Sequence, residues 1–230
     1  MADMVAVWAV VVAAGSGERL GADQPKAFVR FGDDPLIAAS VAALDEHPAI
    51  TGIVLVVPEG WEERATFMAD DIGAGKASIA VAGGATRSDS VAAGVAEVPD
   101  DAGIILVHDA ARPNVPADLI DRVLGGFADG ADGVIPVLPI DDTVKRVDGA
   151  GRVVDTLDRA ELRAVQTPQA FLADVLRRAV AADDRATGTD CASLVERAGG
   201  TVATVSGDPR TMKITTRADL ERAEELRGAH

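Results

Sequence analysis

Ala13-Ala14-Gly15-Ser16-Gly17-Glu18-Arg19-Leu20, followed by Pro25-Lys26, is the segment of this chain best equipped for chemistry. It continues an apolar run beginning at Val5, so its glycines fall at the C-terminal end of a predicted strand. In that position backbone N–H groups can close on phosphate oxygens. Arg19 and Lys26 lie on the same loop and would direct two cations at a cradled polyphosphate. Two common phosphate loops do not fit. Walker A spacing is absent after Gly15, and Leu20 occupies the third-glycine position of a dinucleotide fingerprint. Lysine occurs four times, at positions 26, 76, 145 and 213, against eighteen arginines. A lysine kept in such a loop therefore carries more weight than any single arginine, and its ammonium suits phosphate as a point charge.

Two later segments have the same character. Gly83-Gly84-Ala85-Thr86-Arg87-Ser88-Asp89-Ser90 joins a predicted strand to a helix, with glycines for close backbone approach and hydroxyls for capping. Taken alone, capping is the simpler account of it. Val107-His108-Asp109-Ala110-Ala111-Arg112-Pro113 ends an apolar strand with a carboxylate, which suits Mg²⁺ or a ribose or substrate hydroxyl at the ligand-facing sheet edge. Arg112 would reach the same crevice.

These segments need a scaffold that brings strand ends together. Short apolar runs alternate with helical patterns, the mark of an α/β fold with a mostly parallel sheet. Strands are predicted at 5–13, 52–57, 78–81, 104–108 and 133–138, with others near 162–166 and 201–205. Helices are predicted near 36–44, 61–71, 88–98, 117–128, 172–182, 191–198 and 217–227. Thr216 is the expected N-cap of the last, with Leu220, Ala223 and Leu226 on one face. The strands GIVLVV and GIILV are apolar throughout, so helices should cover both sheet faces. No repeat or linker interrupts the 230 residues, so one domain over 1–230 is expected. Residues 139–163 break the alternation. TVKRV and RVVDTL flank Asp148-Gly149-Ala150-Gly151 as a charged hairpin, read as a projecting β-arm that offers a partner surface.

Composition narrows the classes. A net charge of −15 repels phosphate backbones and anionic bilayers, so neither nucleic acid nor membrane is an expected partner. The apolar N-terminal run is ten residues, well short of a membrane span, and a cytoplasmic protein is expected. One cysteine excludes an internal disulfide, and the three histidines lack metalloprotease spacing.

The loop pattern A-A-G-x-G-x-R-L with P-K resembles that of sugar nucleotidyltransferases. The ordered set AAGSGERL, PKAF, GGATRSDSV, VHDAARP, DDTVKR, QTPQAF, TDCASLVE and MKITTRADL resembles the 2-C-methyl-D-erythritol 4-phosphate cytidylyltransferase family, from about Val5 to Leu226. The resemblance implies a Rossmann-like three-layer α/β/α nucleotidyltransferase fold and the CTP-dependent step of the non-mevalonate isoprenoid pathway. It implies CTP contacts at Ala13, Ala14, Gly15, Gly84, Ser90 and Ala110. Arg19, Lys26 and Lys213 become the catalytic cations, and Mg²⁺ is held mainly by the CTP phosphates with no certain protein ligand. Asp109, Arg112, Thr167 and Thr189 would contact the sugar phosphate, while Thr143 and Arg159 on the arm would serve the neighbouring subunit of a homodimer.

Three positions depart from the family's pattern. Val12 replaces a proline, Ala85 stands where some relatives carry an acid, and Cys191 replaces a commoner acidic residue. A buried, non-catalytic thiol is the expected account of Cys191. Two readings stay open beside the main one: a ribitol 5-phosphate cytidylyltransferase, and a catalytically silent nucleotide-binding module on the same fold.

Overall fold

The computed structural model describes residues 5–15, 17, 24–127, 130–182 and 190–227. Its centre is an eight-stranded sheet. β1 (Val7–Val12) lies between β4 (Ile50–Val57) and β6 (Ile104–Asp109), parallel to both, and β5 (Ile79–Ala82) extends the parallel set beyond β4. Past β6 comes β11 (Gln169–Leu172), antiparallel to β6 and to the next strand, β7 (Gly133–Pro139). β12 (Val202–Ser206) runs parallel to β7, and β10 (Arg163–Val165) pairs antiparallel with its last residues. Only β10 and β11 oppose the common direction, so the mostly parallel α/β reading holds.

Strand alternation explains the layers. Val7, Ala9 and Val11 face one core with α1 (Leu36–Asp45), α2 (Glu62–Asp71) and α4 (Ala117–Gly125), through Ile37, Val41, Ala65, Met68, Leu119 and Ile120. Val10 faces the other core with α3 (Arg87–Ala96), α5 (Ala173–Ala181) and α6 (Cys191–Arg197), through Val91, Val95, Leu176, Leu194 and Val195. Each face thus removes a continuous aliphatic layer from water, the main favourable term in folding. A third cluster joins Phe31 and Leu36 to Leu220 and Ala223 of α7 (Arg217–Arg227). Thr216 caps that helix, accepting from the Asp219 N–H at 3.2 Å while the Asp219 carboxylate accepts from the Thr216 N–H at 2.8 Å. Phe31 belongs to a two-residue ladder, β2 (Arg30–Phe31) with β3 (Asp34–Pro35).

The hairpin of residues 139–163 is β8 (Val144–Val147) paired with β9 (Val153–Leu157), a two-stranded sheet apart from the central one. Its turn is tied by Asp148, whose Oδ1 accepts from the N–H groups of Ala150 and Arg152. The sequence pattern predicts neither the short β2–β3 ladder nor β11: it assigns no element to 169–171 and starts a helix at Leu172, whereas residues 169–172 are a strand. The segment QAFL is only four residues, a glutamine followed by three apolar ones, so periodicity cannot separate strand from helix there, and pairing with β6 and β7 decides.

Register places the functional loops. Val12 is level with Val56 on one side and Asp109 on the other, and the Gly83 N–H donates to the Val57 carbonyl just beyond β5. The ends of four strands therefore open on one edge of the sheet.

Candidate active site

Two cavities occupy that edge. The larger, about 690 Å³, is lined by Ala13, Ala14, Gly15, Gly84, Ser90 and Ala110, together with Lys26, Arg87, Asp109 and Lys213. All six residues expected at the nucleotide are thus brought together with two of the expected cations. The smaller, about 410 Å³, is lined by Arg112, Thr167, Gln166, Gln169, Asp190 and Ser193, and again by Arg87, Asp109 and Lys213. The two cavities meet at those last three side chains.

Local structure explains the larger cavity. Gly17 has φ +67°, and a Cβ there would come within 2.3 Å of the Lys26 Cβ, so glycine is required where the loop passes Lys26. Lys26 heads a three-residue 3₁₀ turn, Lys26–Phe28, and its Nζ donates to the Ile214 carbonyl, next in sequence to Lys213. A Cβ on Gly83 would strike Ala14 and Ser90, so two loops close on each other only because one side chain is missing. Ser90 then accepts from the Gly84 N–H at 3.1 Å and donates to the Thr86 carbonyl at 3.0 Å. Thr86 and Asp89 form a reciprocal capping box at the start of α3. Capping is therefore present in this segment, and it also aims Arg87.

Arg87 donates to Asp109 Oδ1 through Nε at 3.0 Å and through a terminal nitrogen at 2.9 Å, while Lys213 Nζ lies 2.7 Å from Oδ2. Burial would raise the Asp109 carboxyl, but Arg87 and Lys213 outweigh it and hold the group well below the usual carboxylate range. Arg87 also reaches Cys191 Sγ at 3.6 Å. Burial pushes that thiol up to about 11, so at neutral pH it is uncharged and Asp109 is the partner that matters to Arg87. Cys191 is fully buried, as expected.

On the other side of Asp109, the Thr167 hydroxyl oxygen accepts from the Asp109 N–H at 3.1 Å and lies 3.1 Å from His108 Nδ1. His108 Nε2 lies 3.1 Å from the Arg112 carbonyl, which can only accept, so Nε2 carries the ring proton and Nδ1 accepts from Thr167. Burial lowers the His108 pKa to about 4, and the ring is neutral. Arg112 donates to the carbonyls of Thr211 at 2.7 Å and Val165 at 3.2 Å.

Thr143 and Arg159 are exposed on the arm and line neither cavity of their own chain; Arg159 donates to the Asp141 carbonyl. Arg19 and Thr189 lie outside the described residues. Among the described residues no three His, Cys, Asp or Glu side chains gather as a metal site, and no helix is long and apolar enough to cross a membrane. The carboxylate shared by both cavities is Asp109, already held by two cations. That donor set suits an ion that keeps water and phosphate ligands, as Mg²⁺ does, and does not suit a protein cage.

A family profile described as 2-C-methyl-D-erythritol 4-phosphate cytidylyltransferase matches residues 7–227. The chain belongs to this family of nucleotidyltransferase enzymes. It is 50% identical to the enzyme of that name from Nocardia farcinica, over 96% of this chain and 93% of the relative. The Rhodococcus jostii enzyme is 48% identical, over 97% of each. Among solved structures, the cytidylyltransferase of Thermus thermophilus superposes with a TM-score of 0.77 at 32% identity, covering 95% of this chain and 97% of that one. The synthase from Anaerococcus prevotii gives 0.81 at 25% identity, covering 97% and 98%. The cytidylyltransferase fold is therefore shared over nearly the whole length.

Sequence reasoning missed Arg87 as part of this cytidylyltransferase site, because a helix-entry segment rich in hydroxyls is explained by capping alone. A signal was present: a carboxylate ending a buried strand requires a counter-charge, and Arg87 is the basic residue of another strand-end loop on the same sheet edge.

Proposed function

We propose that this protein joins CTP to 2-C-methyl-D-erythritol 4-phosphate, releasing pyrophosphate and forming 4-diphosphocytidyl-2-C-methyl-D-erythritol in isoprenoid precursor synthesis. The observation that carries this reading is the meeting of two cavities at Arg87, Asp109 and Lys213, beside Lys26. The larger cavity suits the nucleotide and the smaller a short polyol phosphate. Their junction is where two phosphates would come together. Although the whole chain carries −15, this junction sets three cations against one carboxylate, so it favours anions locally.

The chemistry needs no covalent intermediate. An oxygen of the substrate's ionised 4-phosphate attacks the CTP α-phosphorus in line, a new P–O bond forms, and the α–β bridging bond breaks to release pyrophosphate. That nucleophile is already anionic and requires no general base. Lys26 and Lys213, with Arg19, stabilise the charge that gathers on the α-phosphate and the leaving group. A bound Mg²⁺ supplies further charge neutralisation on the triphosphate. Ala13, Ala14, Gly15, Gly84, Ser90 and Ala110 hold the cytidine largely through backbone groups. Asp109 holds Lys213 and Arg87 in place and, with Arg112, Thr167 and Thr189, receives the polyol phosphate.

The same reading makes the protein a homodimer through residues 139–163. In support, Thr143 and Arg159 stand away from their own cavities. The hairpin also exposes Val147, Val153 and Val154 by 54%, 60% and 58%. A two-stranded ribbon with bare aliphatic side chains gains stability from a partner.

Pyrophosphate release with Mg²⁺ and CTP tests the function, comparing methylerythritol 4-phosphate with ribitol 5-phosphate and with ATP, GTP and UTP as controls. Release with CTP and methylerythritol phosphate alone is expected. Release with ribitol phosphate instead would keep the mechanism and change the substrate. No release with either would leave a silent nucleotide-binding module.

A further inference from the structure

Gln169 is an amide at the start of β11, a strand flanked on both sides within the sheet, and the residues that follow it, Ala170 and Phe171, are apolar and buried. It is itself 0% exposed, yet it lines the smaller cavity. Its Nε2 donates to Asp190 Oδ2 at 3.2 Å and to the Gln166 carbonyl at 3.4 Å. Both partners are obligate acceptors, so the amide can be placed only one way round. Asp190 is itself held as the N-cap of α6, accepting from the Ser193 N–H at 3.0 Å. The amide is thus fixed by a fixed neighbour, and its Oε1 is buried with no hydrogen-bond partner among the described residues. A buried acceptor left without a donor is costly, and here it borders a cavity where a ligand's hydroxyl can supply the missing hydrogen.

The neighbouring groups say what kind. Thr167 has committed its hydroxyl hydrogen to His108 Nδ1, so any remaining hydrogen-bonding capacity toward the cavity is as an acceptor. Of the three cations lining the cavity, Arg87 and Lys213 stand at the junction with the nucleotide cavity, and Arg112 lines the smaller cavity alone, its Nε buried without a partner among the described residues. An ionised phosphate can satisfy those cations but cannot satisfy Gln169 Oε1, because it has no hydrogen to give. A hydroxyl can.

We propose that Gln169 is a specificity-determining residue of the polyol phosphate site, its Oε1 accepting a hydrogen bond from one hydroxyl of the sugar-alcohol chain while the phosphate lies toward Lys213 and Arg87. This rests on the function proposed above. A substrate analogue lacking that hydroxyl leaves Oε1 unsatisfied, and such an unpaired buried group is what lets a site reject a near-isostere.

The test uses full-length enzyme with CTP, methylerythritol 4-phosphate and its singly deoxygenated analogues, reading pyrophosphate release. Wild type should lose about tenfold or more in kcat/KM on one analogue. Gln169→Met should raise KM for the full substrate by about tenfold, leave KM for CTP within about twofold, and lose the discrimination against that one analogue. Discrimination unchanged in Gln169→Met, or KM values for both substrates rising in parallel, would overturn the proposal. If thermal melting shows that Gln169→Met does not fold, wild type still decides, since equal kcat/KM on every deoxygenated analogue would overturn it. No turnover of any polyol phosphate by wild type would remove the proposed function and this residue's part in it together. Normal turnover without discrimination removes only the latter.

Discussion

Arg87 donates twice to Asp109 while Lys213 holds the other carboxylate oxygen, and this small cluster sets the electrostatics of both cavities. Removing one partner of a buried pair costs more than the pair itself is worth, because the remaining charge is left without compensation. Arg87→Met should therefore lower stability by about 2–3 kcal/mol, somewhat discounted because Lys213 remains, and drop Tm by several degrees. It should also move the Asp109 carboxyl upward, since burial would then be opposed by Lys213 alone. A Tm within a degree of wild type would show that the pair contributes nothing to folding. Lys26 is different in kind. It lines the larger cavity and its Nζ also donates to the Ile214 carbonyl, so Lys26→Ala should cost about 1–2 kcal/mol of stability and lower kcat by a factor on the order of 10². Near-normal turnover would remove Lys26 from the transition state. At this scale the sequence was readable where a residue is rare or its spacing unusual, as with Lys26 and Asp109. It was opaque at Gln169, whose meaning lies in an unpaired atom.

Among the elements, the arm carries the clearest consequence. Val147 and Val153 are level across β8 and β9 and so share a face, exposed by 54% and 60%. Aspartates at both positions would put like charges side by side on the surface proposed to meet a second copy. Val147→Asp with Val153→Asp should convert a dimer to a monomer in sedimentation, with circular dichroism of the central sheet unchanged. A dimer that survives both would place the interface elsewhere. The hairpin was legible in the sequence because Asp148-Gly149-Ala150-Gly151 between charged β-branched runs has few other solutions. β11 was not, since one glutamine and three apolar residues fit a strand or a helix equally, and only two waiting neighbours in the sheet make it a strand.

The whole molecule should sense acid through His108. The ring is buried neutral with a pKa near 4, below its ordinary value of about 6.5, so between those values the unfolded chain binds the extra proton. Its contribution is complete above about pH 6.5 and is lost as pH falls toward 4, on the order of 3 kcal/mol in all. Asp109 adds a loss of the same sign at still lower pH, below the ordinary carboxylate range, because its folded pKa is depressed. Denaturant unfolding of wild type should thus weaken steadily from pH 6.5 to 4, and His108→Gln should flatten that slope. An equal slope in both proteins would assign it to other groups.

Hydrophobic alternation, small residues at strand ends and the order of the loop motifs determined the layered α/β fold, the sheet edge that carries the loops and the family. Those signals are local, readable within a few residues of each other. The pairing of Arg87 with Asp109, the shared wall between the two cavities, the neutral tautomer of His108 and the unpaired oxygen of Gln169 were decided by tertiary structure alone. Each joins groups from separate strand ends or helix caps, and their separations follow from how the strands stack and where β11 inserts.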